Sequence, residues 1–182
     1  MKKPSWRINI KYLISLIFLI LVAIIAMFSF KAEADEVNCL ALNIYHEARN
    51  QPFMGKLAVG YVTLNRVNSD EFPNTICGVV KQGLKSKWFK KKYGKDVPLK
   101  HKCQFSWWCD GKSDEPKEKE IWELTKGLAH QIYYKNILDF DITDGATHYH
   151  AVYVSPKWAM ADNFVLLAIV GEHVFYRREL CC

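Results

Sequence analysis

Residues 37–49 read VNCLALNIYHEAR, and their pattern predicts a helix that carries a carboxyl group on its apolar face. The apolar side chains recur at intervals of three and four residues, the spacing of one helix face; they are Val37, Leu40, Ala41, Ile44, Tyr45 and Ala48. Glu47 follows Leu40 by seven residues and Ile44 by three, so it points the same way. A carboxyl group in an apolar wall keeps its proton better than one in water, as a general acid must near neutral pH.

Glu47 is also isolated, since no other acidic residue occurs between Glu36 and Asp70. The ordinary alternative is a structural carboxylate paired with Arg49 or another cation at the edge of the core. Other features of the chain are needed to distinguish a catalytic from a structural role of Glu47.

The chain begins with a basic segment and a long apolar one. Four basic residues lie among the first 11, and the 19 residues 12–30 contain no charged side chain. A helix of that length can cross a bilayer core of about 30 Å. Residues 32–34, Ala-Glu-Ala, have the form of a signal-peptidase site. We predict that residues 1–34 are a signal peptide or a membrane anchor, and that residues 35–182 are exported to the periplasmic or outer side.

Residues 35–182 form one predicted domain, long enough for a hydrophobic core. Five of the 25 basic residues and one of the 19 acidic residues lie before Asp35, so the domain carries a net charge of only about +2. This balance gives nucleic-acid binding little support. Lysines concentrate in residues 81–102 among aromatic side chains. We interpret this segment as a solvated insertion loop, with an anionic polymer or a membrane surface as the alternative partner.

All six cysteines lie in the exported part: Cys39, Cys77, Cys103, Cys109, Cys181 and Cys182. In an oxidising compartment an even number predicts disulfides, although sequence does not determine the pairing. Cys103 and Cys109 are expected to brace the loop between them, either with each other or with Cys39 and Cys77. For the terminal pair the sequence leaves three alternatives, an internal disulfide, free thiols or an intermolecular disulfide. Because no Cys-x-x-Cys occurs, no metal site is indicated by the cysteines, and we predict no cofactor.

The periodicity predicts a mainly helical α+β domain with a small antiparallel sheet. Long helices are expected over residues 37–49, 54–67 and 116–136. A short helix is expected to be capped by Thr75 and to end at Val80. In the third long helix the predicted inward residues are Ile121, Trp122, Leu124, Leu128, Ala129 and Ile132.

The remaining segments divide into strands and loops. Residues 147–153 alternate like a strand, and residues 173–177 are expected to pair with it. Residues 81–111, which include the lysine-rich segment and a tryptophan-rich loop, are expected to be irregular.

A series of short motifs follows in order along the exported part. They are Glu47-Ala48-Arg49, Pro52, Gly55, Ala58-Val59, Asn65-Arg66-Val67, Phe72-Pro73-Asn74-Thr75-Ile76-Cys77, Val79-Val80, Gln82, Gln104-Phe105-Ser106, Asp110-Gly111, Thr147-His148-Tyr149, Trp158 and His173-Val174-Phe175-Tyr176-Arg177. Together they resemble the catalytic domain of the SleB/CwlJ cell-wall hydrolases over nearly the whole predicted domain. The resemblance implies a fold similar to lysozyme-like lytic transglycosylases, action on peptidoglycan, and one catalytic glutamate, which falls on Glu47. The chain departs from the family at Asn50-Gln51, where Gly-Glu is common, and in the lysine-rich segment.

The chemistry of the glycosidic bond fits a single acid. Cleavage of the β-1,4 bond between MurNAc and GlcNAc requires protonation of the leaving oxygen. A muramidase-type hydrolase adds a second carboxylate about 5–9.5 Å away, for which Asp110 is the candidate, with a turn residue before Gly111 as the alternative. A lytic transglycosylase needs none, because the C6 hydroxyl of the muramic acid attacks and forms a 1,6-anhydro ring. We favour the lytic transglycosylase.

Sugar rings stack on aromatic faces and form hydrogen bonds at their rims. The candidate aromatic residues of a glycan groove are Phe105, Trp107, Trp108, Tyr149 and Trp158. The candidate polar contacts are Gln104, Ser106 and Thr147. About half of the aromatic residues are expected to line the site, since core packing explains an aromatic residue equally well. Arg49 is expected in an ion pair of the fold, and Asn65 and Arg66 in internal hydrogen bonds.

Two other functions compete with this interpretation. His148 and His150 share a strand face and could hold Zn²⁺ with His46, His173 or Glu47 in a cell-wall amidase. No His-Glu-x-x-His motif occurs, so we do not favour a metal site. The second alternative is a membrane-tethered glycan-binding module with an inactive groove. The expected partners are therefore peptidoglycan glycan strands and the membrane, either in an exported endolysin of a phage or in a bacterial remodelling enzyme.

Overall fold

The computed structural model describes residues 10–135 and 141–179. The chain divides into two compact units, Met1–Asp35 and Glu36–Cys182. Helix α1, Ile10–Ala48, contributes to both units. Its apolar part lies in the first unit, and its last 13 residues, from Glu36 onward, lie in the second.

The apolar part of α1 is exposed along its length. Within the described ranges, one helix is long and apolar enough to cross a membrane, and it comprises Tyr12–Ala48. Its most apolar window is exposed to solvent in the described part of the chain. A signal sequence near an N-terminus has the same properties, so an anchor and a signal peptide fit this helix equally well.

Over residues 49–135 and 141–179, the structure describes four further helices and two 3₁₀ turns. The helices are α2, Phe53–Val67; α3, Ile76–Val80; α4, Lys87–Tyr93; and α5, Lys119–Lys135; the 3₁₀ turns are Ser106–Cys109 and Lys157–Met160. The predicted helices over 37–49, 54–67 and 116–136 are confirmed, although the last begins three residues late and its residue 136 lies outside the described residues. The predicted cap is also confirmed, since Thr75 Oγ1 accepts a hydrogen bond from the Gly78 amide.

Helix α2 lies at the centre of this unit, and ten of its 15 residues are buried. One face packs with α1, α3 and α5 around Leu40, Ile44 and Ile132. The opposite face packs on the sheet through Ala58 and Val62. Gly60 allows the close approach of α1 and α5, because a Cβ there would lie 2.5 Å from Ile132 Cδ1 and 3.2 Å from Ile44 Cδ1.

The prediction that Leu124 of α5 faces inward is wrong. Leu124 is 47% exposed, whereas Thr125 is fully buried and donates a hydrogen bond to the Trp122 carbonyl. A hydroxyl group that bonds the preceding turn can occupy a buried helix position. The inward face is therefore shifted by one residue at this point.

The second unit contains a three-stranded antiparallel sheet. The strands are β3, His148–Ala151; β4, Phe164–Val170; and β5, His173–Arg178; their order is β3-β5-β4. Tyr149 pairs with Phe175, which confirms the predicted pairing of the two strands. Strand β4 was not predicted. Its seven consecutive apolar residues show no alternation, and such a run does not distinguish a strand from a helix.

The lysine-rich segment is not irregular, contrary to the prediction. Strands β1, Gly83–Lys85, and β2, Pro98–Cys103, pair antiparallel on either side of α4. Ser86 Oγ caps α4 by accepting a hydrogen bond from the Phe89 amide, and Gly94 ends the helix at a φ of 67°. We call residues 81–102 the lysine hairpin.

Two disulfides are present in the described part of the chain, Cys39–Cys77 and Cys103–Cys109. The first joins α1 to α3, and the second joins the end of β2, at Cys103, to the tryptophan-rich 3₁₀ turn. Glu36 supports the first junction, because its Oε2 accepts hydrogen bonds from the amides of Ile76 and Cys77. Cys181 and Cys182 lie outside the described residues.

Replacement of Cys39 and Cys77 by Ser is expected to lower the free energy of unfolding by about 4 kcal/mol. Replacement of the other pair is the matched control, and a loss of about 2 kcal/mol is expected. The reason is loop length, since the two bonds close 38 and 6 residues respectively. Urea denaturation of the detergent-solubilised chain, followed by tryptophan fluorescence, measures both. A larger loss for the short loop would contradict this dependence on loop length.

Candidate active site

Glu47 lies one residue before the end of α1, and its carboxylate reaches β3. Its Oε2 accepts a hydrogen bond of 2.9 Å from the hydroxyl of Tyr149. The side chain is half-buried. Burial raises the pKa of the Glu47 carboxyl, and the Tyr149 hydrogen bond and the nearby Arg66 guanidinium oppose this effect only in part. The group therefore keeps its proton to a higher pH than an ordinary glutamate.

Two consecutive residues of α2 hold the start of β3 in place. Asn65 Nδ2 donates to Asp141 Oδ2 at 2.8 Å and to the Ala146 carbonyl at 3.0 Å. Arg66 Nε donates to the Thr147 carbonyl at 2.6 Å. These bonds confirm the internal role predicted for both side chains. Because Thr147 lies two residues before Tyr149, α2 fixes the hydroxyl group that faces Glu47.

Arg66 is buried between two aromatic rings. Its guanidinium carbon lies 5.1 Å from the centroid of Phe72 and 5.0 Å from that of Phe105. Such contacts stabilise a cation that has little access to water. The positive charge thus stays fixed near Glu47 and Tyr149.

A second group of contacts positions the residue before Glu47. The His46 ring stacks on Trp107 with centroids 4.4 Å apart, and its Nε2 donates to the Asp114 carbonyl at 3.0 Å. Trp107 Nε1 donates to Asn43 Oδ1, and Asn43 Nδ2 donates to Thr63 Oγ1. This buried chain of hydrogen bonds connects α1, α2 and the tryptophan-rich turn, so the wall beside Glu47 is rigid.

Two cavities adjoin at His46 and Arg49. The smaller, of about 230 Å³, contains Glu47. Its other lining residues are His46, Arg49, Asn50, Gln51, Ala151, Tyr153, Glu172 and His173. The larger, of about 480 Å³, lies beyond His46 and is lined by Tyr45, His46, Arg49, Trp107, Asp110, Lys112, Ser113, Asp114, Glu115, Lys117 and Glu118. A polymeric substrate could therefore extend from Glu47 past His46.

The arrangement suits proton donation to a bound oxygen. Glu47 combines a raised pKa with a position on the wall of an open cavity. Tyr149 donates a hydrogen bond that strengthens when the carboxyl loses its proton. The site can therefore release a proton and stabilise the carboxylate that remains.

The sequence profile of the Cell Wall Hydrolase family matches residues 50–176. This match covers more than half of the chain. The chain belongs to the Cell Wall Hydrolase family. The match begins three residues after Glu47, so it does not include the proposed acid itself.

Curated relatives of this chain include spore cortex-lytic enzymes from two Bacillus species. The one from Bacillus cereus is 44% identical over 46 residues, which are 25% of this chain and 18% of that protein. The one from Bacillus subtilis (strain 168) is 42% identical over 50 residues, which are 28% of this chain and 16% of that protein. The chain thus matches less than a fifth of the length of these relatives.

Two solved structures have a similar fold. The catalytic domain of the Bacillus cereus SleB protein superposes with a TM-score of 0.52 at 23% identity, covering 79% of this chain and 91% of that one. The catalytic domain of the germination-specific lytic transglycosylase SleB from Bacillus anthracis gives 0.53 at 25% identity, covering 78% and 93%. The predicted SleB/CwlJ-type family and the predicted fold class are therefore confirmed.

The predicted aromatic groove residues divide between the cavities and the core. Trp107 lines the larger cavity, and Tyr149 contacts Glu47. Phe105 is 2% exposed and packs in the core, so it cannot meet a substrate. Trp108 packs against the core and the Lys81 ammonium. Trp158 lies on the opposite face of the sheet from Tyr149, among His148, His150, Phe164 and Tyr176.

The predicted polar contacts do not line the cavity that contains Glu47. Thr147 is buried and lines a separate cavity between α2 and β5, while its carbonyl binds Arg66. Gln104 and Ser106 are exposed and line neither of the cavities that adjoin at His46. Asp110 lines the larger cavity, and its Oδ1 also accepts a hydrogen bond from the Lys112 amide, as a turn residue does.

The two histidines of the amidase alternative face away from Glu47. His148 and His150 alternate with Tyr149 along β3, so they lie on the other face of the sheet. His150 uses both ring nitrogens, on the Ala151 carbonyl and the Tyr176 hydroxyl. Burial lowers the pKa of His148 to about 4. Among the described residues, no three His, Cys, Asp or Glu side chains are grouped to hold a metal ion.

Several residues of the Glu47 cavity were not predicted. Tyr153 is the most exposed aromatic residue there, and the alternation of residues 149, 151 and 153 could have placed it on the face of Tyr149. Glu172 is held by Gln51, which donates to its Oε2 and accepts from its amide, both at 2.9 Å. No local pattern joins residues 121 positions apart, so the sequence offered no signal for this pair.

Arg49 lies at the junction of the two cavities. Its Nε is 3.9 Å from Glu118 Oε1, in agreement with the ion pair expected within the fold. Both side chains are partly exposed, so the pair is weak and leaves the guanidinium accessible to a ligand.

Proposed function

We propose that this cell wall hydrolase cleaves peptidoglycan glycan strands at the β-1,4 bond between MurNAc and GlcNAc. Glu47 is its catalytic acid, and the reaction is that of a lytic transglycosylase. Family membership supports peptidoglycan as the substrate. The similarity to a lytic transglycosylase domain of the same fold supports the reaction type.

One observation carries the proposal: a half-buried carboxyl group with a raised pKa, bonded to a tyrosine hydroxyl, on the wall of an open cavity. Burial without a function would leave this carboxyl unfavourable for stability, because no described salt bridge neutralises Glu47. Perturbed carboxyl groups of this kind concentrate at catalytic sites.

The proposed reaction uses one carboxyl group twice. Glu47 donates its proton to the glycosidic oxygen, the C1–O bond of MurNAc breaks, and GlcNAc leaves as an alcohol. The Glu47 carboxylate, stabilised by the Tyr149 hydroxyl, then accepts the proton of the muramic acid C6 hydroxyl. The C6 oxygen bonds to C1 and forms the 1,6-anhydro ring. Glu47 ends protonated, as it began, and no water is consumed.

The proposed site of action is outside the cytoplasm, at the periplasmic or outer side of a membrane. The exposed apolar helix of the first unit supports an anchor or a signal peptide. The disulfides Cys39–Cys77 and Cys103–Cys109 support export, because such bonds persist in oxidising compartments. The relatives named as spore cortex-lytic enzymes also support a wall substrate.

Hydrolysis of the same bond is a second candidate, favoured by one observation. Glu172 lines the same cavity as Glu47, unlike the predicted second carboxylate Asp110, which lines the neighbouring one. A carboxylate in that cavity could activate a water molecule. Glu172 is therefore the residue to test for a muramidase reaction.

Mass spectrometry of the fragments released from purified sacculi tests the proposal. We expect muropeptides that end in 1,6-anhydro-MurNAc, because the C6 hydroxyl replaces water as the nucleophile. Reducing-end MurNAc would instead establish hydrolysis. Free stem peptides with intact glycan strands would establish an amidase and contradict both glycosidic reactions.

A further inference from the structure

Charge is strongly polarised within residues 35–182. The lysine hairpin, residues 81–102, contains nine lysines and one acidic residue, so it carries a net charge of +8. Residues 35–182 together carry only +2, which leaves −6 for the remainder. Asp96 is the acid of the hairpin, and it pairs with Lys85 at 3.9 Å and Lys90 at 3.1 Å. Such polarity favours one orientation of the domain against an anionic surface.

The hairpin also exposes large apolar side chains among these charges. Trp88 is 61% exposed and Tyr93 is 51% exposed, and their rings lie 6.0 Å apart on α4. Lys92 Nζ lies 5.0 Å from the Trp88 centroid and 5.1 Å from that of Tyr93. The flanking strands add the exposed side chains of Leu84 and Leu99. Aromatic and basic residues are thus presented together.

The lysine hairpin has regular secondary structure and is cross-linked to the segment that follows it. Its strands pair with each other, and Cys103 is bonded to Cys109. At the base, the Gln104 amide donates to the Gln82 carbonyl at 2.9 Å. The cluster of Trp88, Tyr93 and Lys92 is therefore displayed by a cross-linked support.

We propose that the lysine hairpin docks on the anionic lipid headgroups of a bilayer surface. Lysines near such a surface are attracted by its negative potential, and tryptophan and tyrosine favour the headgroup region. An anionic polymer in water would satisfy the lysines, and an anionic glycan could also stack on the rings of Trp88 and Tyr93. Either polymer would leave the exposed side chains of Leu84 and Leu99 in water, whereas a bilayer interface accepts the lysines, the aromatic rings and both leucines. Where the apolar segment 12–30 is retained as a membrane anchor, it keeps the domain at a bilayer, so a weak contact suffices.

The test uses the full chain reconstituted in two kinds of vesicle. One contains phosphatidylcholine alone, and the other contains equal parts of phosphatidylcholine and phosphatidylglycerol. A membrane-impermeant reagent acetylates exposed amines at low extent, and mass spectrometry gives the rate at each lysine. Lys87, Lys91 and Lys92 are expected to react several-fold more slowly in the anionic vesicles. Lys119, Lys126 and Lys157 are the internal controls and are expected to react equally in both.

Salt and a charge-matched variant test whether charge and apolar contact both hold the hairpin on the bilayer. High salt is expected to abolish the protection. The double variant Trp88→Ser and Tyr93→Ser keeps every charge and is expected to lose most of it. Equal rates in the two vesicles, or full protection in the double variant, would overturn the proposal. Equal protection by soluble polyphosphate over phosphatidylcholine vesicles would also overturn it, and would assign the hairpin to an anionic polymer. None of these outcomes depends on glycan cleavage.

Discussion

Glu47→Gln is expected to lower the rate of glycan cleavage by about 10²–10⁴-fold, the usual contribution of a general acid. The amide has the shape of the carboxyl group but cannot give a proton to the leaving oxygen. The measurement is the release of muropeptides from purified sacculi. Binding to sacculi, followed by co-sedimentation, is expected to be unchanged, because the cavity keeps its shape. A pure glycan-binding module would show no change in either assay.

Stability gives this variant a second readout. Burial raises the pKa of Glu47 in the folded state, so ionisation of this group disfavours folding. Below the ordinary pKa of a glutamate, Glu47 is protonated in both states and does not disfavour folding. As the pH rises above that value, the free energy of unfolding decreases, because the unfolded state ionises more readily than the folded state. Glu47→Gln removes this penalty, so its melting temperature at neutral pH is expected to equal or exceed that of the wild type. If Glu47 instead formed a structural ion pair, Glu47→Gln would melt at a lower temperature than the wild type.

Glu172→Gln is the matched control, because it removes a carboxylate from the same cavity. The transglycosylase reaction does not require Glu172, and near-normal cleavage is expected. The Gln51 side chain can still bond the amide of residue 172. Loss of activity in both variants would point to two-carboxylate hydrolysis and contradict the single-acid mechanism.

Local sequence patterns were sufficient to predict the long helices and to place Glu47 on a buried helix face. Three- and four-residue spacing located α2 and the final part of α1, and it put Glu47 on a buried face. A helix face is a local property, so one sequence is enough to find it. The same spacing misplaced Leu124, because a hydroxyl that bonds the preceding turn replaced an apolar side chain at the core.

The identity of the residues that line the two cavities beside Glu47 depends on contacts between residues that are far apart in the sequence. Phe105 and Trp107 are two positions apart in an aromatic loop, yet one packs under Arg66 and the other stacks on His46. Trp158 lies on the face of the sheet opposite Tyr149, because the 3₁₀ turn Lys157–Met160 packs it against β4. Since β4 was not predicted, this position could not be predicted either. Composition alone cannot distinguish these environments. The tertiary arrangement determines which aromatic residue meets a ligand.

Tyr149→Phe is expected to move the alkaline limb of the pH–activity profile to higher pH by about 1–2 units. A hydrogen bond to a charged group contributes about 1.5–3 kcal/mol, and one pH unit corresponds to about 1.4 kcal/mol. The Tyr149 hydroxyl stabilises the Glu47 carboxylate, so its removal raises the pKa of Glu47 further. The acid form that starts the reaction then persists to a higher pH. Below the limb the rate is expected to decrease by about 10- to 100-fold, since the carboxylate formed during bond cleavage loses its donor.

Tyr176→Phe distinguishes this effect from a general loss of packing. Tyr176 is also buried in the sheet, but its hydroxyl bonds His150 on the face turned away from Glu47. Both variants lose one hydroxyl and one hydrogen bond, so similar small losses of melting temperature are expected. The pH limb should move only in Tyr149→Phe, because only that hydroxyl touches the proposed acid. An equal shift in both variants, or none in either, would mean that the limb reports another group and that Glu47 is not the acid that titrates during turnover.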